Sequence, residues 1–385
     1  MAKYYKSYTM TEPKSPNTKA TAASRPDASR SIARLLTITA GLVFVILIWG
    51  AVVRLTGSGL SIPDWPLING SLLPPSSEAG WAAVQEDYRL EALRIGKTAF
   101  PADISVETFR KQFWIEWTHR AIAGVVGIVF LIAFIKMMRS PAVRAKSESN
   151  FYLLGGLLIA QAGLGGVVVM GALSGLMVSL HLIAAYVFFA ALVWTALRLM
   201  DTEQAPAGGS RSAGLIPLRA IWVTTGLVLL QVFLGGLVAG DAKANLVTSW
   251  PMMFGGIIPP GELLWSSQFG GIGNLIMNPI LVQFMHRWMP LILIVAFGYL
   301  RMVTARVPLK KHTKVMFRAA DALFLFQIMV GIMNVMFGAM MHVSALHSAI
   351  ALCLFGSLVV ILHDLRYSSG ELALGKSQKK AAITK

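Results

Sequence analysis

Eight stretches of about 20 predominantly apolar residues, the length that crosses a hydrocarbon core as a helix, divide this chain at 34–53, 113–136, 151–171, 177–198, 220–240, 276–300, 318–338 and 343–363. In lipid, a backbone N–H or C=O without a partner costs several kcal/mol, so stretches of this kind span as helices. Of the 385 residues, 55% are hydrophobic and 14% charged, a balance far from that of soluble globular chains. The expected fold class is an all-α integral membrane protein with eight transmembrane helices in contact with membrane lipid.

The net charge of +16 does not point to nucleic acid, because the basic residues sit in particular connections. Segment 136–148 carries Lys136, Arg139, Arg144 and Lys146; segment 301–318 carries Arg301, Arg306, Lys310, Lys311, Lys314 and Arg318. By contrast, 54–112 holds six basic and seven acidic residues, and 172–176 holds none of either. The positive-inside bias then puts both termini in the cytoplasm and the 54–112 and 241–275 loops outside. Within the first of these, WAAVQEDYRLEALRIGKTAF reads as a short amphipathic helix, either lying on the membrane surface or solvated. The lone cysteine, Cys353, allows neither an intramolecular disulfide nor a cysteine metal cluster.

Residues 1–33 are polar and basic and read as a disordered cytoplasmic tail. A cleaved signal peptide is the competing reading, but the apolar run that follows takes part in an internal repeat and is expected to be kept. Segment 41–75, GLVFVILIWGAVVRLTGSGLSIPDWPLINGSLLPP, aligns without a gap on 226–260, GLVLLQVFLGGLVAGDAKANLVTSWPMMFGGIIPP. The two share Gly41/Gly226, Gly50/Gly235, Trp65/Trp250, Pro66/Pro251, Gly70/Gly255 and a Pro pair. Further on, WTHR at 117–120 answers FMHR at 284–287, and Gln161 precedes His181 by the same 20 positions that separate Gln327 from His347. The offset falls from 185 to 167 in between, so the first outer loop carries about 18 extra residues. The expected organisation is two pseudo-symmetric four-helix bundles of like orientation, 34–200 and 220–364, with a cytoplasmic linker 201–219 and a cytoplasmic tail 365–385.

Four of the seven histidines obey the repeat, His119 with His286 and His181 with His347. Each lies five to ten residues inside the outer end of its span, so the two in each half share a depth. A pair of neutral imidazoles inside an apolar bundle suits six-coordinate heme iron, and glycines in LGGLVAG and QAGLGG would let a ring approach or helices pack. Zinc fits less well, because no carboxylate or thiolate joins the second pair. His312, His342 and His363 have no such pairing and are read as solvated or structural. Glu116 precedes His119 by three positions on one helix face, whereas Gln283 precedes His286. That asymmetry suggests chemistry in one half and a held cofactor in the other. Arg120 and Arg287 follow both histidines and would pair with heme propionates or snorkel to headgroups.

These residues resemble the heme A synthase family, which oxidises a methyl group of heme O to the formyl group of heme A for terminal oxidases. The resemblance rests on VVRLTGSGLSIPDWP, on IEWTHR, on the paired histidines and on the duplicated architecture, and it covers residues 34 to about 364. It implies heme b, with its iron, on His286 and His347, heme O as substrate at His119 and His181, and a catalytic role for Glu116. Where some members read CPDWP this chain reads IPDWP, which places it in the cysteine-free branch of proteobacteria and mitochondria. The Lys-containing tail is a poor transit peptide and favours a bacterial inner membrane. Heme O synthase and oxidase assembly factors are the candidate protein partners. Two other classes compete: a bis-histidine b-type cytochrome passing electrons from quinol, which leaves Glu116 without a task, and a transporter of parallel repeats, which would need broken helices at the midplane.

Overall fold

The computed structural model describes residues 25–68, 70–96, 101–170, 173–200, 215–240, 247–305, 307 and 309–367. Among these, eight helices are long and apolar enough to cross a membrane: α1 (Arg25–Leu55), α3 (Val106–Met138), α4 (Pro141–Met170), α5 (Gly175–Met200), α6 (Leu215–Gly240), α9 (Pro279–Thr304), α10 (Lys311–Met336) and α11 (Met341–Tyr367). Three shorter helices, α2 (Glu78–Ile95), α7 (Gly261–Leu264) and α8 (Asn274–Met277), lie in the α1–α3 and α6–α9 connections, the loops expected to be the outer ones. Each expected window falls on one of the eight.

The ends differ from expectation where one face of a polar segment is buried. Helix α1 begins at Arg25, so the last residues of the segment expected to be a disordered tail are helical. Ile32, Ala33 and Leu36 are fully buried there, against a cluster that includes Ala133 and Met137 of α3 and Ala196 and Leu199 of α5. Residues 1–24 lie outside the described part. Likewise α4 starts at Pro141, because Val143, Ser147 and Phe151 recur every fourth residue and are buried beneath the basic side chains. Helices α6 and α11 likewise overrun the expected linker and tail, starting at Leu215 and ending at Tyr367.

The extra length of the first outer loop matches α2, which has 18 residues. Ser77 caps its start by accepting from Gly80 N, and Gly96 closes its end in the left-handed region at φ 63°. Val84, Tyr88 and Ala92 form its buried stripe, packed on Phe109 and Phe113 of α3 and on Ile62 and Ile68. One apolar stripe thus rests on the protein, so α2 is not a freely solvated loop helix, while Leu90 and Leu93 remain exposed on its other side. Tyr88 fixes the far side by donating to Pro101 O at 2.8 Å.

Both outer loops carry the same local structure. Trp65–Pro66 and Trp250–Pro251 are cis; Gly70 and Gly255 turn the chain at φ 79° and 83°, where a Cβ would be strained; Ile68 pairs with Ser71 and Met253 with Gly256. Helix α1 packs on α3, α5 and α11, while α6 packs on α9, α11 and α5. The outward surfaces are apolar, as Ile128, Ile159, Val223 and Val295 illustrate, the inverse of a soluble exterior.

The closest helix crossing joins α5 to α6. Gly175 and Ser179, four residues apart, meet Gly236 and Gly240, also four apart; a Cβ on Gly240 would lie 2.3 Å from Gly175 Cα, and one on Gly236 2.7 Å from Ser179 Oγ. Small residues at this spacing let two backbones touch, which is how helices associate where water supplies no drive. Arg54 adds a bond beside the crossing, from Nη1 to Ala239 O at 2.6 Å. Gly240→Leu should therefore cost about 1–3 kcal/mol, the range for overfilling a packed interior, and lower the melting temperature of the solubilised protein. An unchanged melting curve would show that the helices do not cross at these residues.

Candidate functional site

Helix α3 starts above the apolar region on an N-cap, Ser105 Oγ accepting from Thr108 N. Its length brings Glu116, His119 and Arg120 down to the level of the first outer loop. Glu116 is buried at 4% exposure, and both its oxygens are engaged. Oε2 accepts from Ser61 Oγ and from Ile62 N, each at 2.9 Å, and Oε1 accepts from Arg120 Nη2 at 2.8 Å. Arg120 also donates to Ile62 O at 2.5 Å and to Asp64 O at 2.6 Å. The segment before the Trp–Pro bond is thus clamped to one helical turn.

The second half repeats the clamp. Arg287 of α9 donates through Nη1 to Ser249 O at 2.8 Å and through Nη2 to Val247 O. Gln283 Nε2 donates to the same Val247 O at 3.3 Å. Val247 and Ser249 stand 185 positions after Ile62 and Asp64, the offset of the repeat. The exchange of Glu116 for Gln283 therefore changes which loop group is held: a carboxylate takes the N–H of Ile62, an amide serves the C=O of Val247. Neither arginine snorkels outward. Both spend donors on loop carbonyls, and Arg287 Nε is buried without a hydrogen-bond partner.

Every repeated histidine faces a glycine on the neighbouring helix. A Cβ on Gly50 would lie 3.4 Å from His119 Nε2, and one on Gly165 3.3 Å from His181 Cε1. On Gly235 and Gly331 it would lie 3.0 Å from Cε1 of His286 and of His347. Of the glycines flagged in sequence, Gly165 and Gly235 seat imidazoles, while Gly236 and Gly240 serve the contact between α5 and α6; Gly50 and Gly331 are further seats. His286 and His347 stand with ring centroids 6.4 Å apart and planes at 79°. A metal bound by one nitrogen of each at about 2 Å needs a separation of this order. Nδ1 of His181, of His286 and of His347 is buried without a hydrogen bond, which suits these rings to a ligand. Heme iron would fit the donor set of the second half, two imidazole nitrogens at this separation in apolar surroundings.

The glutamines at the matched spacing are partners of the second histidines. Gln161 Nε2 lies 3.4 Å from His181 Nε2 and donates to His181 O at 3.2 Å; Gln327 Nε2 lies 3.2 Å from His347 Nε2. One contact escaped sequence reasoning. Pro290 lies inside α9 and has no N–H for the carbonyl four residues earlier, that of His286. Gln231 of α6 supplies the missing donor, Nε2 to His286 O at 3.0 Å. In the first half the corresponding residues are Ala123 and Ile46, so neither the gap nor its filler exists. A proline four positions past a candidate ligand, with a lone amide in an apolar run, was the available signal.

His363 also differs from expectation. It is buried at 2% exposure, edge-on to Trp194 at 5.1 Å, because α11 runs on to Tyr367 and packs against α5. His312 is exposed as expected and bonds Asp364 at 3.3 Å. His342 is exposed.

A family model described as cytochrome oxidase assembly protein, COX15-CtaA, matches residues 33–359. Among curated relatives, "Heme A synthase" of Rhodopseudomonas palustris strain HaA2 is 34% identical over 69% of this chain and 71% of its own length. The protein of the same name from strain BisA53 is 32% identical over 94% of this chain and 98% of its own. That of Ruegeria pomeroyi is 30% identical over 86% and 87%.

Gln231→Leu should leave the His286 carbonyl unpaired at a cost of about 1–3 kcal/mol, seen as a lower melting temperature. Adding Pro290→Ala returns the backbone donor and should recover most of that loss; a double variant no more stable than the single would contradict the pairing.

Proposed function

The chain belongs to the cytochrome oxidase assembly protein family, and from that premise we propose that it acts as a heme A synthase, oxidising one methyl group of heme O to the formyl group of heme A. The reaction is two successive two-electron hydroxylations, to an alcohol and then to a hydrated aldehyde that loses water, so it needs an external four-electron acceptor and an oxygen donor such as water or dioxygen. The observation that carries the division of labour is the single carboxylate: Glu116 stands three residues before His119, and Gln283 occupies that place before His286.

Two pseudo-symmetric four-helix halves, 34–200 and 220–364, organise the sites in this reading. The matching helix pairings support it, α1 with α3 and α5 on one side and α6 with α9 and α11 on the other, as do the matching loop clamps and histidine seats. His286 and His347 hold heme b, which supplies an iron able to pass single electrons. His119 and His181 hold heme O. Glu116 accepts a proton released from the methyl group or stabilises positive charge developing beside the ring. Its hydrogen bonds from Ser61, Ile62 N and Arg120 hold the carboxylate in place, and when Oε2 takes a proton it can donate to Ser61 Oγ, whose hydroxyl then serves Ser58 O at 2.8 Å. Arg120 and Arg287 keep the loops over the two sites, and the unpaired Nε of Arg287 is available to a propionate. The termini lie in the cytoplasm and the chain in a bacterial inner membrane, a placement supported by the basic connections 136–148 and 301–318.

A b-type cytochrome without heme-modifying activity would leave Glu116 and its loop clamp unused. Pigments extracted from cells separate the two, since heme O changes to heme A only with the synthase. Glu116→Gln should keep the heme b spectrum and lower conversion at least about 100-fold, the usual weight of a positioned acid or base. Conversion at the wild-type rate in that variant would remove Glu116 from the reaction.

A further inference from the structure

The Trp–Pro pair is common to both outer loops, yet its two indoles are seated differently. Trp65 follows Asp64, whose carbonyl Arg120 holds, and it reaches across to α4. There its fused ring lies on Gly166: a Cβ on that glycine would come within 2.8 Å of Cδ2, 2.9 Å of Cε3 and 3.1 Å of Cε2. The preceding residue, Gly165, is the seat of His181. The clamp on α3 and the histidine seat on α4 are thus bridged by one indole, which remains 45% exposed.

In the second half the residue after the histidine seat Gly331 is Ile332, so the position of Gly166 carries a side chain there. Trp250 instead stacks on Trp288 of α9, centroids 5.9 Å apart and planes at 29°. Trp288 itself has no aromatic counterpart, since Ala121 stands at the matching position of α3. Two residues and one contact therefore differ together: Gly166, Ala121 and the seat of the indole. The half that would keep a resident heme has its tryptophan engaged with another ring. The half that would exchange heme has a glycine-backed indole that is 45% exposed.

We propose that Trp65 is a substrate-contacting, specificity-determining residue of the first site, offering its indole as a platform for the macrocycle of a heme bound between His119 and His181. Gly166 is what lets the indole sit there. An aromatic ring is a large, rigid apolar surface suited to offset stacking on another flat π-system. The assignment rests on the reading of His119 and His181 as the heme O site.

The test is an absorbance titration of the purified, heme b-loaded protein with heme O, comparing wild type with Trp65→Ala, Trp65→Phe, Gly166→Ile and His181→Ala. Trp65→Ala and Gly166→Ile, the latter copying the second half, should raise the Kd at least tenfold, with Trp65→Phe in between and the heme b spectrum unchanged throughout. Should Gly166→Ile fail to fold and lose its heme b, the two Trp65 variants decide. If they bind heme O as tightly as wild type while His181→Ala does not, Trp65 has no part in binding and this inference falls alone. If His181→Ala also binds as wild type does, the first-site assignment falls and takes the inference with it.

Discussion

Two inward-turned arginines hold the irregular parts of this protein together. At the depth of Arg120 and Arg287 the outer loops are neither helix nor sheet, so their carbonyls need donors from elsewhere. A guanidinium carries five N–H groups in a fixed fork and stays charged when buried, and it meets two carbonyls at once. Arg120 takes those of Ile62 and Asp64, and Arg287 those of Val247 and Ser249. Because each arginine directly follows the first histidine of its half, loop and imidazole are set by the same helical turn. Displacing either loop would unsatisfy a buried charge, so the loops form part of the sites.

On this common frame the halves diverge in few residues. Glu116 replaces an amide and takes a loop N–H and an ion pair into a buried setting. Pro290 opens the backbone at His286, and Gln231 closes it again from another helix. Trp65 rests on a glycine where Trp250 rests on a tryptophan. On the second side Gln231 and Trp288 add contacts beside His286 and to Trp250, whereas on the first side the added groups are the carboxylate of Glu116 and the part-exposed indole of Trp65. That is the distribution expected when one site keeps its heme and the other turns it over.

Much of this was legible in the sequence, because the signals were periodic or repeated. Apolar length located the eight helices, and the 20-residue spacing of Gln161 to His181 and Gln327 to His347, read as a mark of the repeat, corresponds to a contact in each half. What stayed hidden depends on neighbours distant in sequence. The helical start at Arg25 follows from burial of Ile32 and Leu36 against α3 and α5, which a polar composition conceals. Arginine at a membrane boundary reads equally as a propionate partner or a snorkelling side chain, and only the path of the loop shows its carbonyls within reach. His363 looked like a helix end and is enclosed by Trp194 and Tyr367.

The central claim, one resident heme and one exchangeable heme on duplicated histidine pairs, is tested most directly by counting heme in the purified protein. The account predicts one heme b per chain, lost when His286 and His347 are both replaced by Ala and kept when His119 and His181 are. Added heme O should then occupy a second site in the wild type. Two hemes b retained with equal tenacity, or a heme b that survives loss of His286 and His347, would contradict it.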